Sequence, residues 1–129
     1  MATGFPWTTG DVLTAAGMNG LVTFTINTQT GTTYTAVSTD QYQVLVTMNN
    51  ASANAFKIPT NASVAFATGT VITVMNLGAG TCTISATSSG TTTVVSAGAT
   101  SASPTLGQYK SAACVKTGTD TWVVVGGVA

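Results

Sequence analysis

The sequence predicts an all-β fold, a β-sandwich or small barrel of about eight to ten short strands, and three observations lead to it. Threonine occurs 28 times in 129 residues, and β-branched side chains suit a pleated surface while losing rotamer freedom in a helix. Leucine and lysine are scarce and glutamate is absent, which removes the usual helix formers. Apolar residues recur at every second position in short runs, and the runs are separated by Gly, Asn, Ser and Pro.

The first 20 residues stand apart from this pattern. Phe5 and Trp7 flank Pro6 with no strand period, and Asp11 to Gly20 reads as one or two helical turns, with Thr14 placed to cap the start and Gly20 to end it. Leu21 to Asn27 is the first strand, with Val22, Phe24 and Ile26 on the buried face. The polar break Thr28-Gln29-Thr30-Gly31 divides the chain into residues 1–30, an arm with the first strand, and residues 31–129, the β domain.

Thr33 to Val37 is the next strand, and Ser38-Thr39-Asp40 turns out of it. Tyr42, Val44, Val46 and Met48 alternate with Gln41, Gln43, Leu45 and Thr47, and the Asn49 to Asn54 cluster breaks the run because Asn and Ser bond their own backbone in turns. Phe56 and Ile58 share a face up to Pro59, which cannot donate to a ladder. Val64 and Phe66 resume the alternation. Val71 to Met75 is apolar on both faces, as expected of a central strand. Asn76 to Gly80 is a turn whose glycines are expected at φ > 0. Cys82, Ile84 and Ala86 form a one-sided strand, and Thr91 to Val95 follows a turn.

Ser96 to Pro104 carries no large side chain and is expected to be a loop. Gln108 to Lys116 and Thr121 to Val125 close the domain as a hairpin around Thr117 to Asp120. Trp122 and Val124 point one way and Val123 and Val125 the other, so the last strand is expected to be buried on both sides.

Little here can do chemistry. The chain has no histidine and no glutamate, so general acid–base work lacks its usual groups. Asp11 lies in the arm, and Asp40 and Asp120 lie in turns. No G-x-S-x-G occurs, and Gly78-Ala79-Gly80 is too short for a phosphate loop. Cys82 is in phase with Ile84 and expected inward; Cys114 is in phase with Lys110 and Lys116 and expected outward. Opposite faces argue against a disulfide, and two thiols without histidine make a poor metal site. No catalytic residue, cofactor or metal is therefore expected, and the chain reads as a non-enzyme. Asn50-Ala51-Ser52 and Asn61-Ala62-Ser63 match the glycosylation acceptor pattern but read as turn residues. Tyr34, Tyr42, Tyr109, Trp122, Phe56 and Phe66 keep the inward phase, which leaves Phe5 and Trp7 for a partner.

Three lysines balance three aspartates. A net charge of zero favours association, and the absence of a basic excess argues against nucleic acid. No apolar run approaches the roughly 20 residues of a membrane helix, and the first residues lack the pattern of a secretory signal. No membrane partner is expected, and synthesis and assembly in a cytoplasm are.

The order Met48-Asn-Asn-Ala-Ser-Ala-Asn54, Ile58-Pro-Thr-Asn-Ala-Ser-Val-Ala-Phe66, Gly69-Thr-Val-Ile-Thr-Val74 and Gly78-Ala-Gly-Thr-Cys-Thr-Ile84 resembles a β-rich module of tailed-bacteriophage virion proteins. The likeness runs from about Tyr34 to the end of Trp122-Val-Val-Val. Trp7-Thr-Thr-Gly-Asp-Val-Leu-Thr-Ala-Ala-Gly-Met-Asn19 resembles a segment near the start of many phage tail and fibre proteins, where the protein joins the virion. The resemblance implies a virion structural part, either a capsid decoration (cement) protein that bridges shell subunits or a short tail-fibre or baseplate component. A glycan- or receptor-binding tip is the third reading. Implied partners are other copies of the chain, as a homotrimer, and the major capsid protein or another virion protein. Phe5, Pro6, Trp7, Val12, Leu13 and Met18 are the residues expected to dock; the same aromatics could instead cap one end of the β domain.

Overall fold

The computed structural model describes residues 23–129 except 97 and 101. Ten strands make two mixed sheets, and the only helical element among the described residues is a 3-10 turn at Ser38–Asp40. The strands are β1 (Thr25–Gln29), β2 (Thr33–Thr35), β3 (Val44–Met48), β4 (Asn54–Ile58), β5 (Val71–Asn76), β6 (Cys82–Ala86), β7 (Thr93–Val95), β8 (Thr105–Leu106), β9 (Ser111–Gly118) and β10 (Thr121–Gly126). The fold is all-β, as the threonine content and the alternation predict. Residues 1–22, among them Val22 and the expected short helical turn, lie outside the described residues.

The chain passes back and forth between the sheets. β1, β3 and β5 lie side by side in a six-stranded sheet of order β1-β3-β5-β9-β10-β7; β2, β4 and β6 do so in a four-stranded sheet of order β2-β4-β6-β8. Within each trio the pairing is parallel. A tight turn cannot join parallel neighbours, so the chain crosses to the opposite sheet between them, and β1 to β6 wind as three stacked coils. The direction then reverses. β8 runs antiparallel to β6, and the β9–β10 hairpin packs antiparallel to β5. β7 closes the far edge of the larger sheet, parallel to β10.

The turns that stack between coils account for the glycines. Leu77 N donates to Met48 O at 2.7 Å, and Gly80 N to Asn50 O at 3.0 Å. A Cβ on Gly80 would run into the Ser52 carbonyl, and one on Gly78 into the Asn50 backbone. Neither glycine is at positive φ; each is needed because another backbone lies against it. Beneath the turn, the buried Asn76 side chain donates to Gly80 O and Leu106 O, both at 2.8 Å, and accepts from Gly78 N at 3.1 Å.

The core lies between the sheets. Val46, Ile72, Val74 and Val124 of the larger sheet meet Phe56, Ile58, Ile84 and Leu106 of the smaller, with Trp122 and Phe66 at one end. Val44 and Val64 are half-buried against it.

Several expectations are corrected. Phe24 and Ile26 are exposed, not core residues, because Asn27 turns inward toward Tyr34 and Asp40 and the alternation then places them outside. Tyr42 and Tyr109 are also exposed; both sit at positive φ in turns beside strands, which takes them out of the strand phase. Val64 and Phe66 lie in an irregular segment, since Ser63 N and Val64 N bond back to Thr60 O and close a turn instead of a ladder. Cys114 is buried, as is Lys116 in the same phase; the phase is as expected, but the face that carries the lysine is the inner one.

Candidate functional site: an apolar sheet face beside an open coil end

The smaller sheet turns a polar outer face to solvent. Along its cross-strand rows stand Thr33, Ala55, Thr83 and Thr105, then Thr35, Lys57 and Ser85. Lys57 Nζ donates to Ser85 Oγ at 2.9 Å across the strands. Polar residues on one face and apolar ones on the other are what a half-buried sheet requires.

The larger sheet breaks that rule. One row of its outer face reads Ile26, Leu45, Thr73, Ala113 and Val125, and the next reads Val71, Val115, Val123 and Val95. A third row adds Thr28, Thr47, Met75 and Ser111. No charged residue stands in any of them. At the margins Ile26 is 56% exposed, Val125 52% and Val71 48%, and the middle of the face is half-buried apart from the buried Thr47. β5 is a central strand, as expected, between β3 and β9, whereas the expectation that β10 is buried on both sides is met on one side only.

Charge is scarce over the whole exterior. Asp40 and Lys116 are buried, Lys57 and Asp120 half-buried, and Lys110 is the one exposed charge among the described residues.

At the β1–β2 end the first coil is filled with polar groups. Asp40 accepts from Tyr34 OH at 2.6 Å, Asn27 Nδ2 at 2.8 Å and Val37 N at 2.9 Å. Asn27 also donates to Tyr34 OH at 2.9 Å and accepts from Gln29 Nε2 at 2.7 Å. Burial pushes the Tyr34 phenol up to about 12, with the hydrogen bond to Asp40 adding to it. Every oxygen of the buried carboxylate has a donor, as a buried charge requires. The cluster ties β1, β2 and the 3-10 turn into one unit. β1 and β2 are the last strands of their sheets at this end.

A second polar cluster holds the irregular segment between β4 and β5. Lys116 Nζ donates to Asn61 Oδ1 and to Phe66 O, each at 2.6 Å. Asn61 N donates to Asp120 Oδ1 at 2.8 Å, and Thr92 Oγ1 donates to the same oxygen at 3.1 Å. Lys116→Met keeps the volume but leaves the buried Phe66 carbonyl, and the part-buried Asn61 amide oxygen, without this donor, at about 1–3 kcal/mol for the buried one. A loss of that size in urea melts is expected; an unchanged melt would mean water satisfies both oxygens.

The two cysteines are free and buried. Burial pushes Cys114 up to about 12, with the nearby Cys82 sulfur adding to it, and burial raises Cys82 as well. A thiol ordinarily ionises near 9.0, so the folded state holds its protons longer than the unfolded one. The stability linked to these groups is complete below about pH 9 and is lost as pH rises toward 12. Denaturant midpoints are expected to fall above pH 9, and less steeply in Cys114→Ala. At neutral pH a thiol reagent should label neither cysteine until the protein unfolds.

Among the described residues no three His, Cys, Asp or Glu side chains lie together as metal ligands, and no helix is long and apolar enough to cross a membrane. A cleft of about 290 Å3 beside Lys57 and Ser85 is lined by small side chains such as Ser89, Thr92 and Ser103; it holds no carboxylate or histidine to serve as a base. The expected docking residues Phe5, Pro6, Trp7, Val12, Leu13 and Met18 lie outside the described residues. Sequence reasoning missed the apolar face as a surface, although the two-sided pattern of β5 and β10 was its signal. The chain matches no protein-family model, no curated protein and no solved structure.

Proposed function

We propose that this chain is a non-enzymatic structural subunit of a tailed-bacteriophage virion. In the first reading it is a capsid decoration (cement) protein that bridges shell subunits and is assembled in the host cytoplasm. The observation that carries an assembly role is the contrast between the two outer faces, one polar and one an uncharged apolar sheet. The largest contiguous apolar patch on a protein of this size is often a working surface. The sequence resemblance supplies the virion context, and its partners would be further copies of the chain and the major capsid protein or another virion protein.

A second reading, a short tail-fibre or baseplate component, is favoured by the coil stack. Both sheets end on parallel strands at the N-terminal coil, whereas antiparallel strands follow the third coil. Among the described residues β1 and β2 are edge strands of their sheets, which suits attachment through the segment that precedes β1. In either place, Phe5, Pro6 and Trp7 would supply the aromatic anchors typical of an interface hot spot.

The test adds purified full-length chain to particles that lack it and maps the added density by electron cryomicroscopy. Density over the shell supports the first reading, density on the tail the second, and no binding to any particle overturns both. A chain without residues 1–20 is expected to fold yet fail to bind; equal binding would remove the docking role from Phe5, Pro6, Trp7, Val12, Leu13 and Met18.

A further inference from the structure

We infer that the outer face of the six-stranded sheet is the surface through which copies of this chain bind one another. The inference deepens the assembly reading and rests on it only in requiring an oligomer; it does not depend on the place of the protein in a particle.

The face consists mainly of β-branched and small side chains, with Leu45 and Met75 among them, in cross-strand rows of which Val71, Val115, Val123 and Val95 is the most apolar. Sheets built on parallel strands are normally covered on both sides and read as valine- and isoleucine-rich runs for that reason. Here β3 and β5 carry such runs, and the described residues cover one side only. Leaving the other side in water forgoes about 25 cal/mol for each Å2 of apolar surface.

A second copy fits as the occupant better than an unlike partner. No charge stands on the face and Lys110 is the one exposed charge among the described residues, so nothing there would orient an acidic or basic partner. The same face on another copy offers the same uncharged surface, and a flat, neutral patch is complementary to itself. The size is also adequate. Six strands about 4.8 Å apart and five residues rising about 3.3 Å each span roughly 480 Å2. Two such faces remove roughly 1,000 Å2, where specific interfaces begin. The three rows carry no charged side chain that would have to be stripped of water when a second copy covers them.

The experiment is sedimentation velocity on the full-length chain and on single variants of the face, from about 1 to 100 µM. Wild type is expected to sediment as an oligomer of the 12.8 kDa chain. Val71→Lys and Val125→Lys are each expected to shift the population to monomer while keeping the β circular dichroism spectrum, since both side chains are about half exposed and their loss opens no cavity. Tyr109→Lys, at a 68% exposed position outside the three rows, is expected to leave the oligomer intact. Should a lysine variant misfold, Val71→Thr and Val125→Thr replace it, with a weakened dissociation constant as the readout. A wild-type monomer across the range overturns the inference, as does an oligomer that tolerates both lysine changes. A full-length monomer that associates only after residues 1–22 are removed would assign the face to that segment instead, and also overturns it.

Discussion

Trp122→Ala is expected to lower the unfolding free energy by about 3–5 kcal/mol, the usual size for removing a large buried aromatic. Trp122 is almost fully buried and stacks edge-on against Phe66, with ring centres 5.6 Å apart and planes at 89°. Its neighbours across the larger sheet are Lys116 and Val94. The damage therefore extends beyond the cavity. Phe66 belongs to the irregular segment between β4 and β5, which also depends on Lys116 Nζ reaching the Phe66 carbonyl. Losing the ring contact removes the apolar half of that anchorage. Domains of this size have about 5–15 kcal/mol in all, so the variant is expected to be partly unfolded near 37 °C. Urea unfolding followed by circular dichroism decides it. A loss below about 1 kcal/mol would mean that the segment collapses into the vacated space.

Gly80→Ala is expected to be nearly as harmful, although it adds one methyl group. The added carbon would meet the Ser52 carbonyl and come close to the Asn50 carbonyl, and both belong to the turn of the previous coil. A flexible side chain could swing away from it; a backbone carbonyl can move only with its strand. Separating the turns stretches the Gly80 N to Asn50 O hydrogen bond and disturbs the Asn76 side chain beneath it. Overpacking costs about 1–3 kcal/mol, and the upper end applies where the obstruction is backbone on a neighbouring coil. Gly90→Ala is the control, since a Cβ there meets nothing within 4 Å; its melt should match wild type. If the two variants melted alike, the stacked turns would have more freedom than their hydrogen bonds imply.

Most of the strands and the central core could be read in the sequence, for a simple reason. Phe56, Ile58 and Ile84 alternate with polar or small residues within single strands, Val46, Ile72 and Trp122 recur at every second position of theirs, and that pattern is local. What could not be read is which of two unlike faces is inside. Ile26 and Asn27 alternate as clearly as Ile72 and Thr73 do, yet in the first coil the polar member turns inward, because Asp40 and Tyr34 are there to receive it. Cys114 and Lys116 fail for a related reason. A lysine marks the solvent face unless distant acceptors are brought to it, and Asn61 lies 55 residues away along the chain. Parallel pairing was hidden as well: the turn signals locate the ends of strands but do not say that the next strand belongs to the other sheet. The apolar outer face was legible as a pattern, since Val123 and Val125 promised a second covered side. That promise concerned an assembly, and a single chain does not keep it.

The coil stack has a consequence for how such a chain can change in length. Leu45 pairs with Thr73 and Asn54 with Cys82, so the second coil advances 73 − 45 = 28 residues in one sheet and 82 − 54 = 28 in the other. The two sheets stay in step because the turns after β3 and β5 each contain five residues. The first coil is shorter and uneven, at 44 − 25 = 19 residues in the larger sheet and 55 − 33 = 22 in the smaller. An insertion of one residue inside a strand would turn every later side chain of that strand to the wrong face. Duplication of a whole 28-residue coil would instead repeat each hydrogen-bond partner and each inward side chain, and nearest-neighbour contacts are all that a stacked repeat requires. Length in this architecture is quantised: the molecule can grow by full turns of the winding, while each turn itself is closed to piecemeal extension.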